Sequence, residues 1–341
     1  MVKYRRLGRT NIEVFPIGFG GIPIQRVSID EAVKIIRKAI ELGINFIDTA
    51  RAYTDSEIKV GKALEGIDKR IYISSKSQNR TKDGILEDIQ TSLKNLSMEK
   101  IDIYHIHAVN DKETLKRIFK PDGAYYGLVE AKKRGWIDYI AVSSHINDIL
   151  EELIKSDKFD VVQVAYNFIE TEVEERIFPL ALERDIGIIA MKPMGGGSID
   201  NPALSLKYVL QKDFLVPNPG MEKIEEVEKN VKIALELSEI TSQEYEEIER
   251  IRKEMGKVFC RRCEYCQPCP QGVPISVIVR AKSFVKRIPK ENLKNGWFYS
   301  AYQKAKNCIK CGVCLPRCPY SLPIPDLIEE NLKFLDEYFA N

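Results

Sequence analysis

All 8 cysteines of this 341-residue chain lie between Cys260 and Cys318, and residues 1–259 contain none. No other feature limits the fold as strongly. Cysteines scattered through a secreted chain would staple it with disulfides, whereas a dense run in a reducing compartment reads as metal ligation. Charge divides the chain at the same place. From Gly256 onward there are 14 Lys and Arg against 7 Asp and Glu, a net of +7, and the remainder carries −5. At roughly 150 residues per domain the length allows about two domains. The expected division is a large domain over 1–255 and a small metal-bearing one over 256–341.

Apolar residues make up 44% and charged residues 30%, the balance of a globular protein able to bury a full core. Lys plus Arg is 52 against 50 for Asp plus Glu, which excludes the strongly basic signature of a nucleic-acid binder and the excess charge of a disordered chain. No stretch approaches the roughly 18 uncharged apolar residues of a membrane span. Met1–Thr10 is basic but leads into no apolar run of the kind a secretory signal needs. The expectation is a cytoplasmic protein without membrane or nucleic-acid partners.

Within 1–255 short apolar runs alternate with helix-length amphipathic text. A hairpin over Val2–Ile17 leads into a first strand that ends at Gly18, Gly20 and Gly21. Seven further strands are expected at 45–48, 71–75, 101–106, 137–142, 160–165, 186–191 and 213–216. Between them lie helices at 28–42, 55–65, 82–96, 146–155, 172–184 and 203–211, with helical text through 111–134 and again to 255. Ser28-Ile29-Asp30-Glu31 is a capping box that starts the first helix. Strands alternating with helices predict a parallel sheet with right-handed crossovers, and eight such units in about 250 residues predict a closed (β/α)8 TIM barrel. An open doubly wound sheet would show Gly-x-Gly-x-x-Gly after its first strand, and Gly18-Phe19-Gly20-Gly21-Ile22-Pro23 does not match.

Barrel chemistry sits at the C-terminal ends of the strands. Those positions hold Asp48, Lys76, His107, Ser143 with Ser144, and Gln163, and Tyr53 follows Asp48 in the next loop. Each has a plain reading, as packing, a helix cap or a solvated strand end, but five successive polar strand ends form a constellation. A phenol with a pKa near 10 gives up its proton at neutral pH more readily beside an ammonium, and a carboxylate holds that ammonium in place. A histidine at hydrogen-bond distance orients a carbonyl oxygen. The set suits protonation of a carbonyl oxygen while a hydride reaches its carbon. His105 lies deeper on the same strand and is expected to be a satisfied interior residue.

Residues Gly43 to Ala50 with Tyr53, Ser56-Glu57, Gly61 and Leu64 resemble the signature of the aldo-keto reductases. Ile73–Lys76, Asp102–His107, Gly135–Ser144, Val162–Asn167 and Pro217–Asn230 extend the resemblance through about residue 255 in the family's order. It implies Tyr53 as general acid, Asp48 and Lys76 as its tuning pair, and His107 as the residue that orients the carbonyl. It implies NAD(P)H as cofactor, with Ser143, Ser144 and Gln163 at the nicotinamide carboxamide and Tyr166 stacked on its ring. Met194, Gly195 and Gly196, followed by Gly197, match the pyrophosphate loop. Two departures stand out. Ser144 replaces the usual Asn. Aligned by Pro219 and Asn230, Gly220 and Glu226 stand where NADPH-preferring members carry Lys and Arg, so NADH is favoured over NADPH.

The cysteines form two runs, Cys260-x2-Cys263-x2-Cys266-x2-Cys269-Pro270 and Cys308-x2-Cys311-x2-Cys314-x3-Cys318-Pro319. Two-residue spacers bring successive thiolates to corners of one cubane. In two-cluster ferredoxins the fourth cysteine, before proline, ligates the other cluster. That rule pairs Cys260, Cys263 and Cys266 with Cys318, and Cys308, Cys311 and Cys314 with Cys269, around two 4Fe-4S clusters. Structural zinc, which takes paired Cys-x2-Cys ligands, is the competing reading. Helical text over 275–286 and 295–307 favours a mainly α-helical ferredoxin-like domain, and the combination resembles aldo-keto reductases with a C-terminal ferredoxin domain.

Arg280, Lys282, Lys286, Arg287, Lys290, Lys294, Lys304, Lys306 and Lys310 make the segment between the runs basic. They either offset cluster charge or form a docking face for an acidic electron-carrier protein. The expected function is reduction of a small aldehyde or ketone, or oxidation of an alcohol, coupled to the clusters. The alternative is an electron-transfer protein whose barrel binds a flavin or docks a redox partner, although no motif indicates a flavin. A third reading gives the clusters a structural or sensing role.

Overall fold

The computed structural model describes residues 2–340. The described residues divide into two compact units, residues 2–196 with 201–240, and residues 197–200 with 241–340.

The first unit opens with an antiparallel hairpin, β1 (Arg5–Arg6) and β2 (Glu13–Val14). Eight parallel strands follow: β3 (Phe19–Gly20), β4 (Phe46–Asp48), β5 (Tyr72–Ser77), β6 (Ile101–Ile106), β7 (Ile137–Ser143), β8 (Val161–Ala165), β9 (Gly187–Met191) and β10 (Leu215–Asn218). Each pairs with the next in sequence, from β3 to β10. The first and last strands meet as well. Gly18 and Gly20 donate to the carbonyls of Pro217 and Pro219, and Gly20 bridges Gly220 in parallel. A Cβ on Gly220 would come within 2.7 Å of Pro23, and one on Gly20 within 2.9 Å of the Pro219 carbonyl. Glycine at this seam lets the (β/α)8 barrel close.

Alternation along the strands sorts the interior. Phe46, Ile103, Ala141, Val161, Ile189 and Val216 form an inner apolar layer. Leu7, Ile12 and Val14 of the hairpin pack into that same layer and seal the N-terminal end of the barrel. Two residues further along the strands the interior turns polar, at Asp48, His105, Ser143 and Gln163. Most of the remaining core lies between strands and surrounding helices, where Ile35, Ile36, Ile89, Leu128 and Leu153 are buried.

Several helical stretches are broken. The text over 111–134 forms two helices, Lys112–Ile118 and Ala124–Lys133, parted by Pro121 and Gly123. The stretch 172–184 becomes Val173–Arg176 and Phe178–Glu183, with Pro179 opening the second piece. The helix Ser242–Met255 groups with the cysteine-bearing unit, not with the barrel. It is set off from the preceding helix by the exposed run 235–239.

The second unit is mainly helical, with Ile275–Ile278, Ala281–Val285, Lys290–Lys294, Trp297–Ala305 and a long final helix, Ile324–Ala340. Ile275, Ile278, Phe298, Tyr302, Leu327, Ile328 and Leu335 make its core, and cysteine side chains pack against them.

Candidate active site

At the polar end of the barrel, Asp48 and Lys76 form a buried pair. Lys76 Nζ donates to Asp48 Oδ2 at 2.6 Å and to the Thr49 carbonyl at 2.7 Å, and the two side chains are 1% and 7% exposed. Asp48 has further donors, Ser74 Oγ at 2.9 Å on Oδ1 and Gln163 Nε2 at 3.1 Å on Oδ2. His105 Nε2 lies 3.0 Å from Ser74 Oγ. Because the Ser74 proton goes to Asp48, the imidazole must be the donor to Ser74. His105 is thus an interior histidine that supports Asp48, and burial pushes its pKa well below the ordinary value.

Tyr53 and His107 face this pair. The Tyr53 ring centroid is 5.3 Å from Lys76 Nζ, and its ring meets that of His107 edge to face at 6.0 Å. Burial, then the Lys76 cation, push the His107 pKa down to about 3, so the ring is neutral at physiological pH. Its Nδ1 is buried without a hydrogen-bond partner. A lone pair is cheaper to leave in that position than an N–H, which leaves Nε2 to carry the proton.

Ser143 and Gln163 are register partners on β7 and β8. Ser143 Oγ accepts from the Ala108 amide at 2.8 Å, so its own O–H remains to be donated. Gln163 spends its NH2 on Asp48, so its carbonyl oxygen remains to accept. One donor and one acceptor on adjacent strands match a primary carboxamide. Ser144 is placed differently. Its hydroxyl bonds Asn110 Oδ1 at 3.2 Å and accepts from the Ile146 amide at 3.1 Å, and Asn110 Oδ1 also accepts from the His145 amide at 2.9 Å. Asn110 was not visible as a site residue in the sequence, because nothing periodic marks a loop amide that reaches a neighbouring strand end.

The other cofactor candidates are more dispersed. Tyr166 is fully buried, with its hydroxyl donating to Glu174 at 2.8 Å and its ring edge-on to Phe178. Met194 is half-buried, and Gly195, Gly196 and Gly197 follow at φ of +59°, +65° and +81°, a left-handed run that only glycine adopts readily. Asn230 is buried on the helix Ile224–Leu235. Gly220 serves barrel closure. Glu226 accepts the Glu222 amide at 2.8 Å, and Glu222 in turn pairs with Arg26 at 2.9 Å.

In the second unit the eight thiols ring two hollows. Cys260, Cys263, Cys266 and Cys318 line one, and Cys269, Cys308, Cys311 and Cys314, with Cys266 again, line the other. No disulfide joins them. Among the described residues no three His, Cys, Asp or Glu side chains converge on a point that a single ion could occupy. Burial raises the pKa of Cys260, Cys263 and Cys314 and pushes that of Cys266 up to about 12, so the thiolates a cluster needs depend on the positive iron it brings.

Residues 16–202 match the Aldo/keto reductase family, more than half of the chain. The chain belongs to the aldo/keto reductase family. Residues 259–322 match a 4Fe-4S dicluster domain, so this aldo/keto reductase carries a ferredoxin-type domain C-terminal to its barrel in sequence. An uncharacterized oxidoreductase of Bacillus subtilis (strain 168), YqkF, is 26% identical over 217 residues, which cover 60% of this chain and 68% of that protein. The L-galactose dehydrogenase of Arabidopsis thaliana is 25% identical over 290 residues, 70% of this chain and 90% of that one. Among solved structures, the holo form of the aldo-keto reductase AKR11C1 from Bacillus halodurans superposes with a TM-score of 0.64 at 25% identity, covering 74% of this chain and 96% of that one. An aldo-keto reductase from Klebsiella pneumoniae, solved in complex with NADPH, shares the fold at TM-score 0.64 and 21% identity, over 74% and 95% of the two chains. This aldo/keto reductase is accordingly an NAD(P)-dependent oxidoreductase. Among the described residues no helix is long and apolar enough to cross a membrane.

Proposed function

We propose that the barrel reduces a small aldehyde or ketone, or oxidises the corresponding alcohol, with Tyr53 as proton donor. The observation that carries this reading is the buried Asp48–Lys76 pair beneath Tyr53 and the neutral His107 ring. His107 Nε2–H holds the carbonyl oxygen, and Tyr53 gives that oxygen its phenolic proton as hydride reaches the carbon. Lys76 stabilises the phenolate left behind, and Asp48 keeps Lys76 in place. The nicotinamide supplies the hydride. Ser143 would donate to its carboxamide oxygen and Gln163 would accept from its carboxamide NH2, whereas Tyr166, fully buried against Phe178, is given no part at the ring. Met194, Gly195 and Gly196 would lie at the pyrophosphate, and Ser144, Gly220 and Asn230 are the remaining candidates for cofactor contact.

NADH is favoured over NADPH. Glu222, Glu225 and Glu226 crowd the start of the helix Ile224–Leu235, and carboxylates there oppose a 2′-phosphate, while Arg26 is already paired with Glu222. A dissociation constant for NADPH well below that for NADH would contradict this.

The cysteines would hold two 4Fe-4S clusters, with the fourth ligands crossed between the runs, and such clusters would supply single-electron exchange with a partner. The hollows support the crossing, because Cys318 stands with the first run and Cys269 with the second. The basic segment supports an acidic carrier less than its composition promises. Lys282, Lys306 and Lys310 are paired with Glu330, Asp336 and Glu329 of the final helix. Electron-transfer rates that fall with ionic strength would favour such a carrier. The reductase reading is tested by following NADH and NADPH oxidation, under anaerobic conditions, against a panel of aldehydes and ketones. Turnover by the wild type and none by Tyr53→Phe is expected; turnover by both would overturn the assignment.

A further inference from the structure

Arg80 has no part in the constellation read from strand ends, yet it is tied into the centre of the site. It lies three residues beyond β5, and its Nη2 donates to the carbonyl of His107 at 2.7 Å and to that of Ala108 at 3.1 Å. Its Nη1 is buried without a hydrogen-bond partner, and burial pulls the guanidinium pKa below its ordinary value. Arg80 is half-buried, and a buried N–H left unsatisfied costs stability, so its attachment to these two carbonyls calls for an account.

The segment it grips connects two functional side chains. Ala108 has a left-handed backbone, φ +56°, which a residue other than glycine seldom adopts without outside support. That turn aims the Ala108 amide at Ser143 Oγ, 2.8 Å away, and the next amide, of Val109, at the Ser143 carbonyl, 2.9 Å away. The His107 amide is held in turn by the Ser77 carbonyl at 2.8 Å. Because Ser143 Oγ spends a lone pair on Ala108, its O–H must point elsewhere. Should the turn relax, Ser143 is free to change rotamer and the donor–acceptor pair it makes with Gln163 is lost.

We propose that Arg80 is a positioning residue: by clamping the His107 and Ala108 carbonyls it sets both the imidazole that faces the substrate oxygen and the Ser143 hydroxyl that faces the nicotinamide carboxamide. This rests on the catalytic reading above. A guanidinium suits the task because one planar nitrogen fork reaches two carbonyls in fixed directions, whereas an ammonium is a point charge on a flexible stem.

The test is a double-mutant cycle on the full-length, cluster-loaded protein, read as the dissociation constant of whichever of NADH and NADPH binds more tightly. Arg80→Gln is expected to weaken binding about tenfold in the wild-type background and less than twofold in the Ser143→Ala background. Arg80→Lys is expected to recover part of the loss. Equal factors in the two backgrounds, or wild-type affinity in Arg80→Gln, overturn the proposal. Should Arg80→Gln not fold, the same cycle with Arg80→Lys decides, and an affinity unchanged from wild type overturns it. Imidazole nitrogen shifts of His107, one of 3 histidines, give a second readout and are expected to move in Arg80→Gln but not in Ser97→Ala, a control at the exposed C-terminal cap of the helix Lys82–Leu96. If the cycle behaves as expected while the wild type reduces no carbonyl compound, the catalytic reading fails and the clamp stands.

Discussion

Replacing Lys76 by methionine keeps most of the side-chain volume and removes the cation. The Nζ is 2.6 Å from Asp48 and 2.7 Å from the Thr49 carbonyl, with both charged side chains almost wholly buried. Asp48 then keeps only Ser74 and Gln163 as donors, with no opposite charge beside it. Breaking a buried ion pair by removing one partner costs about 3–5 kcal/mol, mostly the penalty of the stranded charge. Lys76→Met should therefore lose about 3 kcal/mol or more of unfolding free energy. The double variant Asp48→Asn/Lys76→Met strands no charge and should recover at least about 2 kcal/mol of the summed single losses. Urea unfolding followed by circular dichroism measures this, with the barrel transition separated from that of the cluster domain because a two-unit chain need not unfold in one step. Stability and activity should part company. The double variant regains its fold, but its kcat/KM should stay about 100-fold or more below wild type because Tyr53 has lost its neighbouring cation. Additive single losses would refute the buried-pair reasoning. A double variant with the wild-type rate would refute its link to catalysis.

Tyr53→Phe keeps the ring contact with His107 and should abolish carbonyl reduction while leaving the visible cluster spectrum unchanged; a residual rate above about one per cent of wild type would contradict the roughly 10²–10⁴-fold share of proton transfer. His107 titrates at about 3 and His105 is pushed well below its ordinary value, against about 6.5 in the unfolded chain. The unfolded chain therefore binds their protons first as pH falls. Stability should be full above pH 6.5 and decline toward pH 3 by up to about 1.4 kcal/mol per pH unit for each histidine, a slope that His107→Gln halves; an unfolding free energy that stays flat from pH 6.5 to 5 would contradict it. Gly196→Ala puts a Cβ on a backbone at φ +65° and should cost about 1–2 kcal/mol locally and weaken NAD(H) binding, read by titration. With crossed ligands, Cys269→Ser/Cys308→Ser should lose no more iron than either single variant, whereas Cys269→Ser/Cys318→Ser should lose nearly all of it. Iron analysis of reconstituted protein decides.

The barrel was legible because its signals are local. Runs such as Ile101–Ile106 are mostly apolar and buried on both faces, with only Asp102 and His105 breaking the pattern, and each is followed by a helix with one apolar stripe. The strand-end residues were legible by the same route, since chemistry at a barrel's mouth falls at predictable chain positions. Other features depend on contacts distant in sequence. Arg80 meets His107 and Ala108 across 27 and 28 residues, and Asn110 meets Ser144 across 34, with no period to announce either pairing. Gly220, placed near the cofactor by alignment, owes its small size to barrel closure against Pro23. The final helix, Ile324–Ala340, carries the carboxylates that pair with Lys282, Lys306 and Lys310, so a segment that is basic in sequence is partly neutralised in the fold.

The central claim is hydride transfer at the barrel mouth with Tyr53 as proton donor, and isotope transfer tests it most directly. The cluster-loaded protein is incubated without oxygen with NADH deuterated at C4 of the nicotinamide and with an aldehyde that it turns over, and the alcohol is examined by mass spectrometry. The account predicts one deuterium on the carbinol carbon with the wild type and no labelled alcohol with Tyr53→Phe. Alcohol formed without deuterium when both C4 hydrogens of the cofactor are replaced, or equal label with Tyr53→Phe, would contradict it.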